Sequence, residues 1–208
     1  MKRRANGKQI MDHAAGEDRE RLKLFKKYGY DMRKAGAFIL NKAAFGRGTV
    51  LDIGTGRDHT ALALAEKGFH LTSIDLDRKA QALARACLRA GNLDSLVRLR
   101  IMDAERLRFK DDGFDYVISV NFLHHAEHPA RCLKEMARVA GEKLVISDLN
   151  KNGVRVMEKM HAREGRRHPP SRMSLREAKE LLERSGLKVK TYRDTCQTVL
   201  VAVKRKTQ

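Results

Sequence analysis

The chain has 208 residues, 44 of them Lys or Arg and 26 Asp or Glu, giving a formal charge of +18, with 42% hydrophobic and 5% aromatic residues. That length and apolar content suffice to close one core, which excludes wholesale disorder despite the charge. Cys87, Cys132 and Cys196 stand far apart with no metal-ligand or paired spacing, and no apolar run approaches the ~20 residues of a membrane span, so a zinc module, a disulfide scaffold and a membrane protein are excluded and the cytoplasm is expected.

Charge is uneven along the chain. Residues 1–45 carry a net +7, residues 46–149 a net +1 and residues 150–208 a net +10. A nearly neutral middle between basic flanks fits a scaffold whose additions face an anionic partner, or flanks that are merely solubilised. Residues 1–45 lack strand patterning and predict one or two helices, with Leu22, Phe25, Tyr28, Met32 and Phe38 on an intermittent apolar face. They are expected to form an N-terminal helical lid over a domain spanning 46–208.

From Thr49 the pattern alternates. TVLDIG predicts a strand, DHTALALAEKG a helix, HLTSID a strand, DRKAQALARACLRAG a helix and VRLRIMD a strand. FDYVISV, HPARCLKEMARVAG, KLVISDL and SLREAKELLERSG continue the alternation, and LKVKTYR and QTVLVAVK close it as two strands. Strands separated by crossover helices imply a parallel sheet covered on both faces, whereas the short link between the last two strands forces that pair to be antiparallel. Asp77 is placed to cap its helix, Ser174 with Glu177 forms a capping box, and Pro129 suits a first helical turn. Gly68, Gly141 and Gly186 are expected to stop helices, and residues 161–173 read as a basic loop.

The first strand ends in Asp52-Ile53-Gly54-Thr55-Gly56-Arg57-Asp58. Gly54 and Gly56 permit a turn and a close ligand approach, at the strand edge where open α/β sheets bind ligands; an ordinary tight turn is the alternative. Asp75 closes the second strand 19 residues after Gly56, where a carboxylate can accept from both ribose hydroxyls. Asp58, at the third-glycine position, would repel a pyrophosphate, which disfavours NAD. S-adenosylmethionine has adenine and ribose but no phosphate, and its ammonium and sulfonium suit the Asp52 and Asp58 neighbourhood. Asp103, followed by the small Ala104, is placed to accept from an adenine amino group, or to cap a turn.

These runs, with FDYVISVNFLHHAEHP and CLKEMARVAGEKLVISD, resemble the class I S-adenosylmethionine-dependent methyltransferases, type 11 subgroup, over residues 46–149. The resemblance implies a Rossmann-like, doubly wound α/β fold with a seven-stranded, mostly parallel sheet and an antiparallel C-terminal hairpin. It also implies S-adenosyl-L-methionine as cofactor, held by Gly54 to Gly56 with Thr55, by Asp75 and the adjoining Leu76, by Asp103 and Ala104, and near Asn121 and Phe122. Asp58 departs from the family's usual glycine.

Methyl transfer from a sulfonium is an in-line displacement, so alignment dominates and a base is needed only where the acceptor must lose a proton. Asn121, His124 and His125 follow the fourth strand and are the catalytic candidates; His128 precedes Pro129 and either lines the site or caps a helix. Tyr28 and Tyr30 either close the site from the lid or pack in the core. No metal site is expected. The Asn or Asp followed by Pro-Pro-Tyr, typical of base-amine methylation, is missing, and few aromatics are available to stack on single strands. The expected acceptor is therefore a small molecule, anionic ones included. The alternatives are an RNA or protein methyltransferase docking through its basic flanks, with weak non-specific nucleic-acid binding, and a non-catalytic cofactor-binding protein. Docking requires Arg3, Arg4, Lys26, Lys27, Arg166 and Arg167 to form one patch beside the cofactor mouth.

Overall fold

In the computed structural model, residues 20–56, 59–165 and 171–204 are described, with His59 described in its backbone alone. The N-terminal part contains α1, described over 20–27, and α2 (Met32–Ala43), so the region holds two helices. Then follow β1 (Val50–Ile53), α3 (His59–Ala65), β2 (Leu71–Asp75), α4 (Arg78–Ala90), β3 (Val97–Ile101) and β4 (Phe114–Val120). A 3-10 turn (Leu123–His125), α5 (Pro129–Val139), β5 (Ala140–Leu149), α6 (Lys151–Arg163), α7 (Leu175–Arg184), β6 (Lys188–Arg193) and β7 (Gln197–Val203) complete the chain.

The seven strands form one sheet in the order β3-β2-β1-β4-β5-β7-β6. Strands β1 to β5 pair in parallel, and β7 lies antiparallel to both β5 and β6, so β7 alone runs against the rest. The order reverses between β1 and β4, and open α/β sheets bind ligands beyond the C-terminal ends of the strands at such a reversal. One buried cluster joins Leu51 and Ile53 to Leu133 and Met136 of α5 and Leu182 of α7. On the other face Val50 and Ile118 pack with Ile39 of α2, Leu64 of α3 and Leu88 of α4. A third cluster, Phe25, Tyr30, Val156, Met160 and Cys196, ties the N-terminal helices to α6 and the β6–β7 link.

The caps operate as expected. Asp77 accepts from Lys79 N, and Ser174 and Glu177 cap each other reciprocally. Two expectations are corrected. Gly141 does not stop α5: β5 begins at Ala140, and Gly141 lies within it beside a register irregularity, where an added Cβ would stand 3.2 Å from Phe114 O. Residues 161–163 are the last turn of α6, not loop; Asn150 caps that helix by accepting from Asn152 N and Gly153 N. Both edge strands are basic: Arg98 and Arg100 are exposed on β3, and Lys188, Lys190 and Arg193 on β6.

Candidate functional site

The glycine turn is locked by its own backbone. Gly54 N and Thr55 N both donate to Ile74 O, at 2.9 and 3.0 Å, and Gly56 N donates to Asp75 Oδ2 at 2.9 Å. Gly54 sits at φ +84°, and a Cβ there would lie 2.7 Å from the Phe122 ring, so the turn and the start of the β4 loop interlock only around glycine. Beneath the turn runs a buried one-way chain of hydrogen bonds. Gln81 Nε2 donates to Thr55 Oγ1 (2.7 Å), Thr55 meets Ser73 Oγ (2.7 Å), and Ser73 Oγ donates to Asp52 Oδ2 (2.6 Å). Because the Ser73 proton goes to Asp52, Thr55 is the donor to Ser73. The parallel register sets Asp52 opposite Ser73.

Asp52 is 1% exposed, and its Oδ1 has no hydrogen-bond partner among the described residues. Burial raises its pKa to about 7, the Ser73 hydrogen bond opposes that rise, and the charge of Asp75 adds to it. Asp75 is oriented from both sides, Oδ2 by Gly56 N and Oδ1 by Asp77 N (2.9 Å), while each oxygen retains lone-pair capacity. Leu76 is 64% exposed and Ile101 44% exposed, two large apolar side chains at the ends of β2 and β3. Asp103 is exposed and its Oδ1 closes a turn onto Glu105 N, while Ala104 is buried. Asp58 lies outside the described residues.

At the end of β4, Asn121 adopts φ +53°, and its N donates to Ser147 O. Its Oδ1 accepts from Gln197 Nε2 at 2.8 Å and its Nδ2 faces Tyr30 OH at 3.5 Å. Gln197 Nε2 also donates to Tyr30 OH. Tyr30 thus packs in the core and brings its hydroxyl to Asn121; burial raises its pKa above the ordinary phenol value, so it keeps its proton. Tyr28 instead accepts from Arg163 on α6 (3.1 Å).

His124 is buried, with Nδ1 2.5 Å from Asp148 Oδ1 and its N donating to Asp148 Oδ2. His125 is exposed and its ring lies 3.9 Å from that of His124. His128 occupies the N-cap position of α5 without a side-chain cap bond, and its N donates to Glu105 Oε1. Sequence reasoning missed Ser73, Gln81, Asp148 and Gln197. The first was readable, since Ser73 shares a strand face with Asp75; Asp148 and Gln197 required the strand order.

Residues 51–146 match the Methyltransf_11 family, a methyltransferase domain. That segment is just under half of the chain, and over it the chain is similar to the class I, type 11 methyltransferases. It is 32% identical over 121 residues to a phosphatidylethanolamine N-methyltransferase of Cereibacter sphaeroides, covering 56% of this chain and 59% of that protein. The chain spans less than two thirds of the length of the curated relatives it matches. Among solved structures it resembles magnesium protoporphyrin IX methyltransferase from Synechocystis PCC 6803 with bound SAH, at 20% identity and TM-score 0.62, covering 83% of this chain and 81% of that one. It also resembles the cyclase SpnF, at 18% identity and TM-score 0.67, over 82% of this chain and 80% of that one. These two likenesses are to the fold.

The family's cofactor is S-adenosylmethionine, and the site fits it. The orphan Oδ1 of buried Asp52 suits an ammonium, Asp75 suits ribose hydroxyls, and the exposed Leu76 and Ile101 suit an adenine ring. A pyrophosphate does not fit residues 54–56, whose N–H groups are all committed. Among the described residues there is no cluster able to hold a metal ion, and no helix is long and apolar enough to cross a membrane.

Proposed function

We propose that this chain transfers the methyl group of S-adenosylmethionine to a small-molecule acceptor at the crevice between Gly54 and Asn121, with residues up to 45 serving as its lid and 46–208 as the catalytic domain. The observation that carries this reading is the buried, half-partnered carboxylate of Asp52 beneath a turn whose described N–H groups are all taken. Such a floor receives a cation and rejects a phosphate. Thr55 and Phe122 brace the turn, and Ala104 leaves room beside Asp103 for the adenine.

When bound, the cofactor supplies an electrophilic methyl group, and the chain's own residues align it and manage the proton. His125, exposed in the turn after β4, is the base for acceptors that must lose a proton; His124 and Asp148 orient that turn. Around it, His128 sits at the start of α5, Arg131 reaches toward Glu105, and Arg172 donates to Glu127 O. The guanidinium groups of Arg131 and Arg172 suit an acceptor bearing a carboxylate or phosphate. We place the enzyme in the cytoplasm.

The test is calorimetric. S-adenosylhomocysteine should bind, and Asp75→Ala should weaken it by about 1.5–3 kcal/mol, the usual worth of hydrogen bonds to a charged group. Tight NAD binding with no S-adenosylhomocysteine heat would sink the assignment. Incubating metabolite pools with methyl-labelled cofactor then identifies the acceptor, and an absence of transfer to any acceptor would favour a non-catalytic cofactor-binding role.

A second reading, docking of an RNA, rests on Arg98, Arg106 and Arg108, which are exposed and form no ion pair among the described residues. Of the flank residues expected in a patch, Lys26 and Lys27 are described and exposed, whereas Arg3, Arg4, Arg166 and Arg167 lie outside the described residues. RNA affinity falling with a logarithmic salt slope of about 0.7 per phosphate contact supports this reading, and a flat response removes it.

A further inference from the structure

In a parallel sheet the ligand edge collects the residues that end each strand. Strand β7 is reversed, so its first residue, Gln197, arrives there instead, paired in register with Leu149 at the end of β5. Gln197 is completely buried, and all three of its amide hydrogen-bond partners are polar side chains at that edge. Its Oε1 accepts from Ser147 Oγ at 2.8 Å, and its two Nε2 hydrogens go to Asn121 Oδ1 and to Tyr30 OH.

This arrangement fixes the direction of the whole network. With Ser147 donating to its oxygen, Gln197 presents an NH₂ to its other neighbours. Asn121, whose oxygen receives one of those hydrogens, presents its own NH₂ toward the phenol. Tyr30 OH therefore accepts twice within the protein, and its single O–H proton points away from the network. Burial raises the Tyr30 pKa, so that proton is retained at neutral pH.

We propose that Gln197 is a positioning residue whose two N–H groups hold Asn121 and Tyr30 so that the Tyr30 O–H donates to the carboxylate of the cofactor's amino-acid end. This inference rests on the S-adenosylmethionine reading of the crevice. The need for such a donor follows from the site itself. Asp52 and Asp75 are acids that repel a carboxylate, and the N–H groups of residues 54–56 are bonded to Ile74 O and Asp75. Among the described residues a free donor lies across the crevice, where Tyr30 stands beside Asn121 at the end of β4, whose next residue, Phe122, abuts Gly54. Gln197 is itself seated by Asp194, whose Oδ1 accepts from Cys196 N and Gln197 N, and Cys196 Sγ reaches Gly29 O at 3.6 Å. The β6–β7 link and the lid turn are thereby one assembly.

The experiment compares two ligands by calorimetry: S-adenosylhomocysteine, which has the carboxylate, and 5′-methylthioadenosine, which lacks the amino-acid end. Tyr30→Phe, Gln197→Leu and Gln197→Glu should each weaken S-adenosylhomocysteine about tenfold or more, the worth of one charge-assisted hydrogen bond, and leave 5′-methylthioadenosine within about twofold. The Gln197→Leu, Tyr30→Phe double variant should bind no more weakly than Tyr30→Phe, because both changes remove the same contact. Gln197→Glu keeps the acceptor for Ser147 and loses both donors, so it tests the idea even where Gln197→Leu fails to fold. Equal losses for both ligands, additive losses in the double variant or unchanged affinities overturn the proposal. Wild-type protein that binds S-adenosylhomocysteine and responds to Asp75→Ala, with Gln197 and Tyr30 silent, refutes this inference alone; absence of wild-type binding refutes the cofactor reading with it.

Discussion

The two sides of the crevice are held together over very different chain distances. On the β1–β2 side every tie is short in sequence: Thr55 to Ser73 spans 18 residues, Gly56 to Asp75 spans 19, Asp52 to Ser73 spans 21 and Thr55 to Gln81 spans 26. On the β4 side the Tyr30, Asn121 and Gln197 network spans 76, 91 and 167 residues. The first side draws all of these hydrogen bonds from one β-turn-α-β-α unit. The second exists only when the N-terminal helices, the middle of the sheet and the C-terminal hairpin have all assembled. In the function proposed above, the residues assigned to the nucleoside are thus tied locally, and those assigned to the amino-acid end are tied across the whole chain.

The sharpest way to break the comparison is at the point where the two sides touch. Gly54→Val puts a side chain into the Phe122 ring at a positive φ, and should reduce S-adenosylhomocysteine affinity more than a hundredfold by calorimetry while the protein still melts cooperatively. An affinity within tenfold of wild type would show that the interlock is dispensable.

Next in size is the titration of Asp52. Its folded pKa of about 7 lies above the unfolded carboxyl value, so the folded state holds a proton between those limits and the unliganded protein loses stability as pH rises from about 4 to about 7. A cation bound over Asp52 favours the ionised form, so S-adenosylhomocysteine binding should strengthen as pH rises through about 7 and should release protons, visible as buffer-dependent binding heats. Asp52→Asn should flatten both trends. Persistence of the pH dependence in that variant would assign it elsewhere.

A smaller effect is expected at Arg138, where burial, Glu135 and Asp111 converge. Its guanidinium bonds both acids and the carbonyls of Leu107 and Phe109, clamping the segment after β3 onto α5; the acids hold its pKa above the ordinary guanidinium value. Arg138→Met should lower stability by about 1–3 kcal/mol in denaturant unfolding and leave ligand affinity nearly unchanged. The smallest effect is at Lys143, which donates to Ala43 O and Ala44 O at the C-terminus of α2 and lies over Phe45 and Tyr116. Lys143→Met should cost about 1 kcal/mol, a few degrees in Tm, because a helix-end cation and its carbonyl bonds are lost.

The same distinction explains what was legible in the sequence. The glycine turn, Asp75 and the caps at Asp77 and Ser174 follow from nearby residues, and the structure places them as the spacing predicts. The β1–β2 register that buries Asp52 against Ser73 came only with the structure. Helix α6 was missed because its apolar positions, Val156 and Met160, are few and lie among charged residues; its buried stripe has meaning only against Phe25 and Tyr30. Gly141 misled because a glycine after a helical run has two uses, a helix stop and a close backbone approach, and only the neighbouring Phe114 distinguishes them. Gln197 was invisible for a topological reason. A search for ligand residues at the ends of strands passes over the beginning of the one strand that runs backward.

The basic side chains on the two outermost strands bear on how this protein behaves in a crowded solution. Strands β3 and β6 each pair on one side only, leaving a row of backbone donors and acceptors to which another strand can add. Arg98 and Arg100 at one margin, with Lys188, Lys190 and Arg193 at the other, set like charges against like whenever two molecules approach rim to rim. That protection is electrostatic and weakens as the Debye length shrinks from about 10 Å at 0.1 M salt to about 3 Å at 1 M. These five charges thus act as a colloidal barrier, and concentrated salt, which would ordinarily be added to keep so basic a protein dispersed, removes it.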